Sequence, residues 1–156
     1  MSLRPFAVVT LTLLALAACS TDAPGTDRSS GASSSSDVAT DPAEALGRAG
    51  LALPSGATAA SLDVVEVEDA DEAYAVSFQL ARSQVEEFCS SGGLGGSLPA
   101  VTLNPTHEPV LGALPVSSES RSCDAVDPDN PSWWRYVLVD PGDPATVHVS
   151  LMHVPR

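Results

Sequence analysis

The sequence contains no lysine and no isoleucine, and aromatic residues make up only 4% of its 156 residues. With two Trp, two Tyr and three Phe, the core has few large anchors, so Ala, Val and Leu must fill most of it. Positive charge is equally scarce. Seven basic residues, all Arg, stand against 20 carboxylates, and the formal net charge is −13. Such a balance argues against nucleic acid as a partner, because phosphates are held by Lys and Arg with release of counterions. It also argues against lying flat on an anionic lipid surface, where like charges repel. No Gly-x-Ser-x-Gly elbow, His-Glu-x-x-His pair or phosphate-binding Gly loop occurs. Gly92-Gly93-Leu94-Gly95-Gly96 is rich in glycine but lacks the lysine such a loop needs, and it follows a helix-like stretch. The sequence therefore assigns no catalytic residue, no cofactor and no metal site.

What is present begins with a leader. Arg4 gives a positive start, and Phe6–Ala18 is an apolar run of about 13 residues, shorter than the roughly 20 that cross a hydrocarbon core. That length suits a signal peptide. The run ends in Leu16-Ala17-Ala18-Cys19. This resembles the bacterial lipobox, in which a Leu and two small residues precede an invariant Cys. The resemblance implies that the Cys19 thiol receives a diacylglyceryl group and that cleavage falls between Ala18 and Cys19. Two or three acyl chains, palmitate among them, anchor stably where one chain binds marginally. The expected address is the extracytoplasmic face of a bacterial cell membrane. The layout as a whole, with its Ala-rich, Lys-free composition, is similar to that of small uncharacterised actinobacterial lipoproteins.

Three regions follow: a signal peptide at 1–18, a lipidated tether at 19–40 and one extracytoplasmic domain at 41–156. The tether is rich in Ser, Thr, Gly and Asp and buries almost nothing, which predicts disorder. As a flexible coil it spans about 25 Å. In the domain, Asp41-Pro42-Ala43-Glu44 reads as a helix start, with a capping side chain, Pro at the first helical position and Glu to close a capping box. Residues 61–67 read as a Val-rich strand. Tyr74, Val76, Phe78 and Leu80 alternate with smaller or polar residues, which predicts a half-buried strand. The acidic stretch Glu68–Glu72 is the expected loop between them. Ser83 with Glu86 suggests a second capped helix, with Val85, Phe88 and Cys89 on its inner face. Residues 93–130 are expected to be long loops with one short strand near 100–103. Residues 133–140 and 145–154 form a closing strand pair around the turn Pro141-Gly142-Asp143-Pro144. The predicted fold is α+β: about four antiparallel strands in the order strand-strand-helix-loop-strand-strand, with one helix on a face.

Cys89 and Cys123 form an even pair in an exported domain, so a disulfide between them is expected. His148 and His153 lie five apart on one strand and so face opposite sides. They and His107 read as surface or half-buried residues rather than metal ligands. Asp69, Asp71 and Glu72, like Asp124, Asp127, Asp129 and Asn130, read as solvated acidic turns without the ligand spacing of a calcium loop. Trp133 and Trp134 are strand neighbours and point to opposite faces. One should pack under the helix, and the other is a candidate contact residue for protein or carbohydrate. The expected function is a non-catalytic binding or interaction module at the cell envelope, with an envelope protein or cell-wall component as ligand. The alternatives are a small hydrolase, which needs His107 or His148 within reach of a Ser, Cys or carboxylate, and an inhibitor or scaffold of an extracellular protease.

Overall fold

A computed structural model describes residues 38–101, 105–112, 114 and 116–156. The leader, the cleavage pair Ala18–Cys19, the tether up to residue 37 and the second half of the expected 100–103 strand lie outside these. The chain enters through Ala39 and Thr40 into α1 (Pro42–Arg48). Its start is as the sequence predicts. The Asp41 carboxylate accepts from the Glu44 N–H at 2.9 Å, and Glu44 reaches back to accept from the Thr40 N–H at 2.9 Å. Gly50 closes the helix at φ +71°, and a Cβ there would lie 2.7 Å from the Asp127 carboxylate. Conformation and space both require glycine at this point.

Five strands follow: β1 (Thr58–Val64), β2 (Glu72–Leu80), β3 (Arg121–Val126), β4 (Trp133–Val139) and β5 (Ala145–His153). They form one antiparallel sheet in the order β1-β2-β5-β4-β3. The expectation of about four strands is thus corrected to five. The addition is β3, inside the stretch expected to be loops. Its sequence, Arg-Ser-Cys-Asp-Ala-Val, has no alternating apolar face, and pairing with the strongly apolar β4 supplies what its own composition does not. β1 begins and ends three residues earlier than expected. An irregularity between Thr58 and Ser61, with Ala59 at φ +51°, sets this register. At Ala100 only an isolated bridge to Arg121 is present.

Helix α2 (Arg82–Ser91) connects β2 towards β3, and its capping differs from the expected Ser83–Glu86 box. Ala81 is the cap position and has no side-chain oxygen to offer. The Asp143 carboxylate, from the β4–β5 turn, accepts from the Arg82 N–H at 3.0 Å instead. The cap is supplied across 61 residues of sequence, which no local pattern reveals.

The core lies between one face of the sheet and helices α1 and α2. Tyr74, Val76, Phe78 and Leu80 of β2 are buried, as are Val137 and Val139 of β4 and Val147, Val149 and Leu151 of β5. Phe88 of α2 meets Phe78 edge to face at 5.5 Å. The Cys89–Cys123 disulfide joins α2 to β3. More than one helix covers the sheet, however. A 3₁₀ turn (Pro105–His107) and the short α3 (Glu108–Leu111) lie on the opposite face, where Val110 packs with Ala73 and Met152.

Candidate functional site

Strand parity sorts the side chains between the two faces. Trp133, Arg135, Val137 and Val139 point towards α1 and α2, while Trp134, Tyr136 and Leu138 point away. Register carries this across the sheet. Val126, Trp134 and Met152 stand in one row, and Asp124, Tyr136 and Ser150 stand in the next. Leu138, His148 and Ser77 make a third.

The two tryptophans separate as expected. Trp133 is buried in the main core, stacked near Tyr74 with centroids 6.4 Å apart and tilted against His153 at 5.2 Å. Trp134 is 36% exposed, and its cross-strand neighbour Val126 is 46% exposed. Together they make an apolar ledge at the β3 side of the open face. Its inner end rests on buried Met152. An indole held on a rigid central strand loses little freedom when a partner covers it.

Beside this ledge lies a polar cluster that sequence reasoning missed. His107 is 4% exposed, not a surface or half-buried residue as expected. Its ring stacks on Tyr136 at 5.2 Å, and its Nδ1 shares a 2.9 Å hydrogen bond with the Ser150 hydroxyl. Burial pulls the imidazole pKa down from 6.5 to about 4, opposed by the nearby Asp124 charge. His107 is therefore neutral at neutral pH. The Tyr136 hydroxyl pKa is raised, again first by burial. The pattern Pro-Thr-His-Glu-Pro-Val-Leu carried one usable signal, since Val110 and Leu111 mark a short apolar segment that needs a surface to sit on.

The other two histidines are half-buried and face opposite sides. The His148 Nε2 lies 3.1 Å from Asp140 Oδ2 on the open face, while Asp140 Oδ1 is buried without a partner among the described residues. The His153 Nδ1 is 3.5 Å from Asp71. Glu72, expected in a solvated loop, instead opens β2. There it takes an ion pair from Arg48 at 3.1 Å and a 2.7 Å hydrogen bond from the Tyr74 hydroxyl. The Tyr74 oxygen accepts from the Ala39 N–H in turn, which fastens the entering chain. In the second acidic stretch Asp124 belongs to β3, and Asp127 turns inward to accept from the Asp129 N–H. Among the described residues no three His, Cys, Asp or Glu are grouped to hold a metal ion.

Arg135 is the second feature the sequence reading passed over. It is 2% exposed. Its guanidinium donates to the carbonyls of Gly92 at 3.0 Å and of Ala49, Ala125 and Val126 at 3.3 Å each. Ala49 and Gly92 are the C-caps of α1 and α2. One cation thus meets the negative ends of both helices and the end of β3. Strand parity could have found it, because Arg135 shares its face with Trp133 and Val137.

No family model, curated protein or solved structure matches this chain.

Proposed function

We propose that the protein is a non-catalytic binding module held on the extracytoplasmic face of a cell membrane through lipidated Cys19. Its open sheet face recognises an envelope protein or a cell-wall component. The observation that carries the reading is the Trp134–Val126 ledge, an exposed indole and its cross-strand valine on a sheet whose other face is sealed. The disulfide supports an oxidising compartment. Among the described residues no helix is long and apolar enough to cross a membrane, and the proposed attachment is through lipid. The test is capture from envelope extracts with the tagged full chain, wild type beside Trp134→Ala. A partner retained by the wild type and lost by the variant supports the reading. No specific partner in either sample, or equal capture by both, removes it.

One observation favours a hydrolase as a second reading. The 2.9 Å contact between His107 and Ser150 has the spacing of a base and its nucleophile. Ser150 is fully buried, however, so a substrate would reach the hydroxyl only after residues 105–111 lift away. Labelling by a serine-reactive fluorophosphonate that disappears in Ser150→Ala would establish this reading. An unlabelled wild-type chain would dismiss it.

A further inference from the structure

The arginines of this acidic chain are unevenly used. Among the described residues there are five. Arg48 is ion-paired with Glu44 at 2.9 Å and Glu72 at 3.1 Å. Arg135 is enclosed by carbonyls, and Arg156 donates to the Pro131 carbonyl. The remaining two, Arg82 and Arg121, come from opposite ends of the 82–121 segment yet line one cleft of about 530 Å³. The cleft is bounded by the first turn of α2, the start of β3 and the β4–β5 turn. Neither arginine makes an ion pair with a carboxylate among the described residues.

Each is instead held by backbone carbonyls. The Arg82 Nη1 donates to the Asp140 carbonyl at 3.0 Å. The Arg121 Nη1 donates to those of Ser120 at 2.8 Å and Ser118 at 3.1 Å. A guanidinium has five N–H donors, so these bonds fix the head groups and leave most of the donors to spare. Two pre-set guanidiniums lose little freedom on gripping an oxyanion, and planar forks suit carboxylate and phosphate alike. One oxygen of the Asp143 carboxylate, Oδ1, caps α2. Ser83 is exposed beside Arg82 and offers a hydroxyl, and half-buried Leu98 forms the apolar wall.

We propose that this cleft binds a small ligand bearing one oxyanion, gripped between Arg82 and Arg121, with a short apolar body against Leu98. Glu86 and Asp143 line the same cleft, and the chain carries −13 overall. A densely charged polyanion is therefore repelled, and a monoanion or a zwitterion with its cation towards Glu86 fits best. The site is separate from the Trp134 ledge and stands independently of it.

The test is an NMR titration of the isotope-labelled full chain at neutral pH and low salt, using two probes, leucine and inorganic phosphate. Saturable shifts at Arg82, Ser83, Glu86 and Arg121 are expected from at least one probe. The probe that saturates first identifies the oxyanion as carboxylate or phosphate. Arg121→Gln should weaken binding about tenfold by removing one charged fork. Glu86→Gln should tighten phosphate binding about threefold by deleting a like charge. The Glu86 side chain carries no hydrogen bond among the described residues, so this variant keeps the fold and covers the case in which Arg121→Gln does not fold. Trp134→Ala should leave the titration unchanged. The proposal is overturned if neither probe saturates, if the shifts fall elsewhere, or if Glu86→Gln leaves the affinity of the saturating probe where it was.

Discussion

On the face that carries α1 and α2, the strands present Tyr74, Val76, Phe78, Val137, Val147 and Val149, all buried. On the opposite face the same strands present Ser77, Gln79, His148 and Trp134, which are half-buried or exposed. The helix face is closed by three kinds of bond: apolar packing, the Cys89–Cys123 disulfide and the Arg135 guanidinium. The opposite face is covered in part by residues 105–111, through Val110 and the His107–Ser150 pair, and Val65, Val67 and Val154 pack against the same cluster as Val110. That face also buries Ala73, Tyr136, Leu138, Ser150 and Met152, while Trp134 and Val126 on it stay exposed. The larger core lies on the helix side, and the exposed Trp134–Val126 ledge lies on the other.

Substitutions should divide along that line. The largest loss is expected at Arg135. Arg135→Ala should destabilise by about 3–5 kcal/mol in urea unfolding, since it leaves four carbonyls without their donor and opens a cavity. A loss below about 1 kcal/mol would mean that water replaces the guanidinium and that the closed face is less closed than described. Replacing Cys89 and Cys123 together by Ala should cost about 3–4 kcal/mol from the freed unfolded chain, read from the same unfolding curves.

Acid should act on the open face. His107 has an ordinary pKa of 6.5 when unfolded and about 4 when folded. Between those values the unfolded chain binds the extra proton, so stability is full above pH 6.5 and falls as pH drops towards 4. The loss amounts to about 3 kcal/mol. His107→Gln should flatten this slope. Amide exchange should quicken in residues 105–111 before it quickens in β2. Equal loosening of both faces would erase the distinction between them. The smallest effect on stability is expected at the ledge. Trp134→Ala should cost below about 1 kcal/mol, whereas Trp133→Ala one residue away should cost about 3–5 kcal/mol. Matching unfolding curves for the two variants would show that the ledge is part of the core.

Much of the helix face is legible in the residues themselves. The period-two run in β2, the Asp41–Glu44 start of α1, the opposite facing of Trp133 and Trp134, and the cysteine pair all follow from local pattern. What is not legible depends on distant partners. β3 is a strand because β4 accepts it, and its inner positions Arg121, Cys123 and Ala125 give no hydrophobic signal of their own. The cap of α2 comes from Asp143, far along the chain. Residues 105–111 are too few to show helical periodicity, so His107 could not be placed over Ser150. The Arg82–Arg121 cleft is likewise a product of the sheet order. The candidate ledge was half visible: parity separates the two tryptophans, but only the fold brings Val126 beside Trp134.

Recognition by the open face has the proposed meaning only if the domain is displayed at a membrane surface, and that depends on Cys19. Metabolic labelling with a clickable fatty acid, followed by membrane fractionation, tests it most directly. The account predicts an acyl-labelled, membrane-bound wild-type chain. It predicts a Cys19→Ala chain that is unlabelled and absent from the membrane fraction. Equal labelling and equal membrane retention of the two would contradict it.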